Sequence, residues 1–339
     1  MNEKRIGSMY KGKKILITGG TGTIGYHLTR RLLQEDPAVI RIFSRDEYKQ
    51  FNMSLDFQEH AHKLRFLIGD VRDQQRLSRA MEGIDYIFHL AAMKHVPACE
   101  YNPFEAVQTN VIGTQNVIQA ALQNNVKKVL FTSSDKAVSP INTYGATKLM
   151  GEKLISAANY QKGSKQTVFA SVRFGNVMGS RGSVIPLFKK QILEQRKITV
   201  TDLNMTRYMM TPNQAISLML EANRLAAGGE VFVLKMPIVR LSTLAEIMIE
   251  EIGVSVGNIQ IEEIGLRPGE KMDEQLMTSE EQRQVIETEW MYIIPPLYGK
   301  TKKSYKHTSE FIPHSDFRND EVIDKEVLRM WCINEHLFI

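Results

Sequence analysis

A tyrosine and a lysine four residues apart are the strongest catalytic signal in the sequence. Tyr144 and Lys148 lie in the run Tyr-Gly-Ala-Thr-Lys, which is predicted to open a helix after the fifth strand. Residues at positions i and i+4 share one face of a helix, so the Lys148 ammonium can lie near the Tyr144 hydroxyl. A nearby cation stabilises a phenolate and lowers the pKa of the tyrosine from about 10 towards neutrality. The spacing therefore predicts a tyrosine general base for alcohol oxidation, assisted by a lysine.

A hydroxyl, a carboxyl and an amine stand shortly before this pair. The predicted fifth strand ends in Ser134, Asp135 and Lys136. In an open parallel sheet the carboxyl ends of the strands face the ligand, so side chains there are catalytic candidates. A charged pair at the end of a strand is also common in an ordinary polar loop. We expect these three residues to join Tyr144 and Lys148 in one catalytic cluster.

The first strand runs into a glycine-rich turn that is typical of dinucleotide binding. Gly19, Gly22 and Gly25 allow a tight turn, close approach to a pyrophosphate, and close packing of helix on strand. The helix that follows supplies free N–H groups and the positive end of its dipole. The residues expected to bind the dinucleotide here are Gly19, Gly20, Thr21, Gly22, Thr23, Ile24 and Gly25.

The end of the second strand should decide between NADP and NAD. Ser44 and Arg45 can hold a 2′-phosphate, whereas Asp46 could instead hold a ribose, and Lys49 follows one turn later. These charges would also suit a solvated helix start. We favour NADP over NAD. Further expected cofactor contacts are Asp70 and Val71 at the adenine, and Ala91 and Ala92, which are small enough to let the cofactor pass.

The elements that must position these residues alternate in type. Short apolar runs separated by helical patterns indicate parallel strands joined by crossover helices. Residues 104–121 carry apolar positions at three- and four-residue spacings, which predicts a helix with one buried stripe. We therefore expect an α/β fold, a Rossmann-like doubly wound parallel sheet with a smaller C-terminal substrate-binding lobe. The predicted strands of the sheet are 15–18, 39–43, 64–68, 86–90, 129–132 and 168–173.

The second half of the chain is expected to form a smaller lobe interleaved with the last elements of the sheet. Helices are predicted over 212–227 and 243–252, and strands over 230–235 and 259–264. No fold is predicted for the weakly periodic residues 290–339. The expected division is a tail at 1–12, a cofactor-binding domain at 13–175 to which elements from about 205–235 return, and a substrate-binding lobe at 176–204 and 236–289.

Composition excludes several classes of protein. The chain has 339 residues, of which 43% are hydrophobic and 24% charged, as in ordinary globular proteins. No apolar run reaches the roughly 18 to 20 residues of a membrane span, so we expect a cytoplasmic protein without a membrane partner. The net charge of +5 is mild and spread out, which argues against a nucleic-acid partner. Cys99 and Cys332 make no metal-ligand spacing, and no metal is predicted.

The motifs together resemble a known family. Downstream of a dinucleotide loop, the Tyr144–Lys148 pair resembles the active site of the short-chain dehydrogenase/reductase superfamily. Between Lys13 and Thr278 the chain resembles the UDP-N-acetylglucosamine 4,6-dehydratases of bacterial surface-sugar pathways, particularly those that invert C5. In the related dTDP-glucose 4,6-dehydratases an Asp-Glu pair stands where this chain has Asp135 and Lys136. The motifs, in order, are GGTGTIG, FSRDE, AAMKHVP, SSDKAVSPINTYGATK, RFGNVMGSRGSVIP, TRYMMT and GLRPGEK.

The resemblance implies a lyase that holds NADP tightly and regenerates it. Tyr144, sharing a hydrogen bond with Ser134, would remove the O4 proton of a UDP-N-acetylhexosamine while hydride leaves C4. Lys136, with a pKa depressed by burial and neighbouring positive charge, would take the C5 proton as a neutral amine. Asp135 would protonate the departing C6 hydroxyl, and hydride would return to C6. An acid and an amine beside the Tyr-Lys pair suit this elimination of water.

The resemblance also implies the residues that bind the substrate. Arg207 and Arg267 stand where the family places contacts to the diphosphate, which guanidinium groups suit. Glu270 would accept hydrogen bonds from the uridine ribose. Individually, each could equally be a surface ion pair or a packing residue. The substrate set is Lys94, Asn176, Ile185, Thr201, Met205, Arg207, Arg267 and Glu270; Lys94 and Val177 are also expected at the cofactor, and Arg181 could reach the substrate of this subunit or a neighbour.

Several alternatives stay open. An NADP-dependent UDP-HexNAc 4-epimerase would use the same fold and Tyr-Lys pair but return hydride to C4, and the Asp135–Lys136 pair argues against it. Two others are a dehydratase that releases a 5,6-ene or leaves C5 epimerisation to another step, and an NADP-binding protein without turnover. Relatives of this fold pair through helices, so a homodimer or higher homo-oligomer through residues 104–123 and 143–161 is expected.

Overall fold

The chain forms an α/β structure built on one large sheet. The structure is a computed structural model, and it describes residues 9–253, 257–298, 305 and 321–338. The first six strands are β1 (Lys14–Thr18), β2 (Val39–Ser44), β3 (Leu64–Ile68), β4 (Tyr86–His89), β5 (Lys128–Ser134) and β6 (Val168–Phe174). The helices between them are α1 (Thr23–Leu33), α2 (Glu47–Asp56), α3 (Gln74–Met81), α4 (Val96–Tyr101), α5 (Pro103–Val107), α6 (Gly113–Gln123) and α7 (Thr143–Gln161).

The later elements divide between the large sheet and a smaller lobe. The strands are β7 (Asn176–Val177), β8 (Lys197–Val200), β9 (Thr206–Met210), β10 (Val231–Leu234), β11 (Ile238–Arg240), β12 (Gln260–Glu263), β13 (Ile286–Glu287) and β14 (Met291–Ile294). The helices are α8 (Val184–Gln195), α9 (Pro212–Leu225), α10 (Leu241–Ile252), α11 (Ser279–Gln284) and α12 (Lys325–Asn334).

The large sheet has nine strands, and the predicted Rossmann-like fold is confirmed. Their order is β13-β14-β10-β6-β5-β4-β1-β2-β3, parallel from β3 through to β10 and antiparallel at β14 and β13. The chain moves outward from β1 to β3 and then returns to the other side of β1 at β4. This reversal opens a crevice at the carboxyl ends of β1 and β4, where such folds bind ligands.

Helices cover both faces of the sheet. Apolar residues of α1 and α9 pack into one core cluster, and those of α3, α6 and α7 pack into the cluster on the other face. Strands that are buried on both faces need apolar side chains throughout, and β4 is buried at every position. The two helical layers therefore hold the strand ends in fixed relative positions.

The smaller lobe has its own core. Side chains from α8, β8, β9, α10 and α12 form this cluster. Strand β9 pairs with β7 and β11 in a three-stranded sheet, and β8 pairs with β12. Met210 at the end of β9 and the apolar residues of α9 pack in the core of the large unit, whereas Met205 and Met209 pack in the smaller lobe.

The C-terminal segment, for which no fold was predicted, contributes to both parts. Strand β14 pairs with β10 and extends the large sheet, while Leu328, Trp331 and Cys332 of α12 are buried in the core of the smaller lobe. The strand has four residues and the helix has ten. Elements this short give only a weak periodic signal in the sequence.

The predicted helix over 104–121 is present, but it contains a π-helical turn that the sequence pattern did not indicate. A π-helical turn over Gln108–Ile112 separates α5 from α6. Phe104 remains 67% exposed, whereas Ile118 and Ala121 are buried. One extra residue in the π turn rotates the following helix face, so the stripe does not stay on one buried side.

Candidate active site

The glycine turn after β1 is packed too closely for side chains. Gly19 has φ of +68°, and a Cβ there would lie 2.7 Å from the Ala91 backbone nitrogen. A Cβ on Gly25 would lie 2.3 Å from the Gly20 carbonyl oxygen. Gly22 is the N-cap of α1 and provides no side-chain cap for the helix N–H groups. This bare, close-packed helix start fits the pyrophosphate of a dinucleotide.

An arginine from the smaller lobe contacts the same turn. The Arg181 guanidinium donates to the Thr21 carbonyl oxygen, and the Arg181 backbone N–H donates to Thr23 Oγ1 at 3.2 Å. Burial lowers the pKa of the Lys94 ammonium, and the nearby Arg181 charge lowers it further. Arg181 therefore contacts the glycine turn of its own chain, and Lys94 lies close enough to feel its charge.

At the end of β2, Arg45 is the side chain most available to a ligand. Arg45 is 59% exposed, and its Nη1 lies 3.5 Å from Asp70 Oδ2. Asp46 is the N-cap of α2 and accepts from the Lys49 backbone N–H at 2.9 Å and from Lys49 Nζ. These hydrogen bonds lower the pKa of Asp46. Ser44 accepts from the Gln50 amide at 3.0 Å. The Asp46 carboxylate and the Lys49 ammonium are therefore hydrogen-bonded to each other.

Other residues expected at the cofactor differ in their exposure. Asp70 and Ala91 are half-buried, as is Ala92, so they border the crevice. Val71 is buried, and a Cβ on Gly113 would lie 2.7 Å from its methyl group. Val71 therefore packs under α6.

Ser134, Asp135 and Lys136 leave β5 in one 3-10 turn. The Ser134 hydroxyl donates to Asp135 Oδ1 at 2.8 Å, and Lys136 Nζ donates to the same oxygen at 3.1 Å. Asp135 is fully buried, and its Oδ2 has no hydrogen-bond partner among the described residues. The turn thus holds a hydroxyl, a carboxyl and an amine in direct contact.

The surroundings of Lys136 are more negative than the sequence suggested. Burial lowers the pKa of Lys136, but the Asp135 and Glu274 carboxylates raise it, and the net pKa lies above its ordinary value. Arg207 opposes this rise. The expectation of a depressed Lys136 pKa is therefore wrong, because the adjacent Asp135 carboxylate, together with Glu274, outweighs burial and the Arg207 charge.

Tyr144 is buried and close to the same cluster. Burial raises the pKa of Tyr144 to about 12, although its hydrogen bond with Ser134 and the Lys136 charge both lower it. The expectation that Lys148 brings this pKa towards neutrality is not met. Lys148 Nζ instead donates to the Thr132 carbonyl oxygen at 2.7 Å. Burial lowers the pKa of Lys148 to about 7, so its positive charge is only partial near neutral pH.

Glu274 is the residue that sequence reasoning missed. It lies between β12 and α11, is 8% exposed, and places Oε1 3.3 Å from Lys136 Nζ. Asn176 Oδ1 also accepts from Lys136 Nζ, at 3.3 Å. Glu274 follows the GLRPGEK motif by three residues, which is the only signal in the sequence that it belongs to the site.

Of the predicted substrate residues, Asn176 contacts Lys136 directly, and Arg207 lies close enough for its charge to lower the Lys136 pKa. Arg207 is buried, and its Nη1 donates to the carbonyl oxygens of Thr206 and Met272. Arg267 is exposed, and its backbone N–H donates to Glu270 Oε2 at 3.3 Å. Ile185, Thr201 and Met205 are buried in the smaller lobe, and Val177 is buried beside it in β7.

The loop that carries Arg267 and Glu270 lies against the start of α7. Asn142, the N-cap of α7, donates to the Gly269 carbonyl oxygen at 2.8 Å, and Lys271 Nζ donates to the Val138 carbonyl oxygen at 2.8 Å. Glu270 and Arg267 are therefore held near Tyr144 through the backbone of this loop.

Neither a metal site nor a membrane-spanning helix is present within the described ranges. No group of three or more His, Cys, Asp or Glu side chains there could hold a metal ion. None of the helices described is long and apolar enough to span a membrane.

Comparison with known proteins relates this chain to several named relatives. A dehydratase of Campylobacter jejuni, named UDP-N-acetylglucosamine 4,6-dehydratase (inverting), is 45% identical over 85% of this chain and 84% of its own length. A Rickettsia felis protein named UDP-glucose 4-epimerase is 43% identical over 85% and 84%. A Methanocaldococcus jannaschii protein, named as an uncharacterized membrane protein, is 49% identical over 87% and 89%.

A solved structure and a family model agree with these relatives. The X-ray structure of Pen from Bacillus thuringiensis is 54% identical, covers 96% of this chain and 98% of its own, and superposes with a TM-score of 0.87. Residues 15–296 match the model of the family described as polysaccharide biosynthesis protein. The chain therefore belongs to the polysaccharide biosynthesis protein family and is similar to its inverting nucleotide-sugar 4,6-dehydratases.

Proposed function

We propose that this protein is an NADP-dependent UDP-N-acetylglucosamine 4,6-dehydratase that inverts C5. The product would be a UDP-2-acetamido-2,6-dideoxy-hexos-4-ulose for bacterial surface-glycan or deoxyamino-sugar synthesis. One observation carries the proposal: Ser134, Asp135 and Lys136 meet buried Tyr144 at the carboxyl end of β5. Similarity to the inverting dehydratase over most of the chain supports it.

The first half of the reaction needs a base for O4. When bound, the nicotinamide cofactor would accept a hydride from C4 and later return one to C6. Tyr144 would take the O4 proton, and the Ser134 hydroxyl would share that hydrogen bond. Because burial holds the pKa of Tyr144 at about 12, proton removal by this residue depends on the positive charge of Lys136 beside it.

The second half removes water from C5 and C6. Once C4 is a carbonyl, the C5–H bond is acidified, and Lys136 as a neutral amine would take that proton. Asp135 Oδ2, which makes no hydrogen bond among the described residues, would carry the proton given to the C6 hydroxyl. The Lys136 ammonium must first lose a proton, so we expect elimination to accelerate as pH rises.

We propose NADP as the cofactor on the basis of Arg45. Its guanidinium is exposed at the end of β2, where a 2′-phosphate lies in folds of this type. Asp46, which would favour a ribose hydroxyl, is held as the α2 cap by Lys49. Contacts with the pyrophosphate would come from the glycine turn with Lys94 and Arg181, and contacts with the UDP diphosphate from Arg207 and Arg267.

Proton NMR of the protein with UDP-GlcNAc in D2O, without added reductant, tests the function. We expect a new C6 methyl signal, solvent deuterium at C5 and a hydrated 4-keto sugar. Cofactor released from the denatured protein should be NADP. In Lys136→Met, methyl formation should fall at least about 100-fold, in the range of general base catalysis, and C4 oxidation should also slow because Tyr144 loses the neighbouring positive charge. Methyl formation at the normal rate in this variant would assign the base to another residue.

A UDP-HexNAc 4-epimerase is the second candidate, supported by the 43% identity to proteins named UDP-glucose 4-epimerase. It would use Tyr144 in the same way but return hydride to C4. In the same experiment it would give UDP-GalNAc with an intact C6 hydroxymethyl group. A product that lacks the C6 methyl but contains a 5,6-ene would instead show a dehydratase that stops early.

A further inference from the structure

Glu274 lies inside the site rather than on the surface of the smaller lobe. Its side chain is 3% exposed, and Oε1 is 3.3 Å from Lys136 Nζ. Its Oε2 is buried without a hydrogen-bond partner among the described residues, and Lys271 Nζ is 4.0 Å away. A buried carboxylate is unfavourable unless it is paired, so this position requires a partner cation. Lys136 is the nearest one.

The segment that carries Glu274 is fixed by a second buried cation. Arg173 on β6 donates to the Leu276 carbonyl oxygen at 2.8 Å, two residues beyond Glu274. The same guanidinium contacts Glu152 on α7 at 2.8 Å and Glu281 on α11 at 2.9 Å. The backbone that positions Glu274 is therefore attached to the large sheet and to the helix that carries Tyr144 and Lys148.

The groups facing Lys136 come from four parts of the fold. Asp135 belongs to the turn of Lys136 itself, Glu274 to the segment after β12, Arg207 to β9 and Tyr144 to α7. Two carboxyl groups and one guanidinium therefore surround the Lys136 amine. Removing the Glu274 charge would leave Asp135 opposed by Arg207.

We propose that Glu274 is a positioning residue that holds the Lys136 side chain against Asp135 and keeps its amine protonated in the resting enzyme. This proposal rests on the proposed function, in which Lys136 must change its protonation state to act at C5. Glu274 would then set how readily the amine becomes the base, without itself contacting the sugar.

Titration of the Lys136 side chain tests this directly. The protein is labelled with 13C at the lysine ε-carbons, and the Lys136 signal is assigned by its loss in Lys136→Arg. In the wild-type protein, the signal should keep its ammonium position up to at least pH 10. In Glu274→Gln, its midpoint should fall by about one pH unit or more, because an opposite charge within 4 Å favours the ammonium.

The matched control is Glu280→Gln, which removes the same charge from an exposed position six residues away. It should leave the Lys136 midpoint unchanged, and Glu274→Asp should restore most of the wild-type value. Equal midpoints in Glu274→Gln and Glu280→Gln would overturn the proposal. If Glu274→Gln does not fold, the wild-type protein alone still tests the proposal. A Lys136 midpoint below the midpoints of the exposed lysines would overturn it.

The readout separates this inference from the proposed function. NMR of the lysine side chain needs no turnover, so it gives a result even if the wild-type protein makes no C6 methyl product. If the dehydratase activity is present, the acidic limb of the pH profile of kcat/KM should move to lower pH in Glu274→Gln by the same amount as the Lys136 midpoint. A fixed limb would show that Glu274 has only a structural role.

Discussion

Lys148 illustrates how burial decides the charge of a side chain that the sequence presents only as a lysine. It is 3% exposed, and its Nζ lies 4.6 Å from the centroid of the Phe131 ring. Burial lowers its pKa to about 7, while Glu152, one turn along α7, raises it. The same helical spacing that predicts a pair with Tyr144 also places this amine over the end of β5, where it donates to a carbonyl oxygen.

Lys148→Met should stabilise the protein near neutral pH while it lowers activity. The folded-state pKa of about 7 lies below the unfolded value of about 10.4, so between these values the unfolded chain binds more protons. The stability of the wild-type protein therefore rises with pH across that window. At pH 7 we expect a gain of about 1–4 kcal/mol in the variant, which shrinks as pH approaches 10.

Urea denaturation at a series of pH values measures this effect. Lys153→Met, an exposed lysine on the same helix, should change stability by less than about 0.5 kcal/mol at every pH. A stability difference for Lys148→Met that does not vary with pH would mean that Lys148 is fully charged in the folded protein.

At the scale of elements, the parallel strands and most helices follow from the pattern. The six predicted strands agree with β1 to β6 within about two residues at each end. Strands buried by helices on both faces are continuous apolar runs, and that signal is local. The π turn before α6 and the short strand β14 depend instead on contacts made elsewhere in the chain, and the pattern did not reveal them.

Helix α12 is an element whose role only its packing reveals. Leu328, Trp331 and Cys332 complete the core of the smaller lobe, and Glu335 accepts a hydrogen bond from Asn213 on α9 at 3.0 Å. The helix thus contacts both the smaller lobe and the unit that holds the large sheet.

Trp331→Ala should destabilise the protein by about 3 kcal/mol, because it leaves a cavity in the core of the smaller lobe. Met330→Ala is the control, since Met330 is the neighbouring residue on α12 and is 51% exposed. Its effect should stay within about 0.5 kcal/mol. Denaturant unfolding followed by tryptophan-independent far-UV circular dichroism measures both. A loss as small in Trp331→Ala as in the control would show that α12 is not needed by this core.

At the scale of the whole molecule, we propose association through helices α4, α5 and α7, which lie before and after β5 in the chain. Tyr101 on α4 is 88% exposed and Phe104 on α5 is 67% exposed, and Met150 on α7 is 50% exposed. Large apolar side chains grouped on neighbouring helices favour a partner surface. A homodimer or higher homo-oligomer would cover them.

Phe104→Arg should reduce the molar mass measured by light scattering after size exclusion, because it places a charge on this apolar surface. Leu193→Arg, which changes an exposed apolar residue of α8, should leave the mass unchanged. If Phe104→Arg keeps the wild-type molar mass, the interface lies on another surface. If the wild-type protein is a monomer, the proposal is wrong.

The sequence by itself determined the cofactor turn, the strands and the identity of the Ser134–Lys136 and Tyr144–Lys148 groups. These features are local: a glycine spacing, an apolar run or an i, i+4 pair reports on its own neighbours in the chain. Only the tertiary structure decided the charge state of the site. Glu274 is 138 positions beyond Lys136 in the chain, yet it lies 3.3 Å from its amine. Burial shifts the pKa values of Lys136, Tyr144 and Lys148, and Glu274 also raises that of Lys136; neither effect can be read from residues that adjoin in sequence.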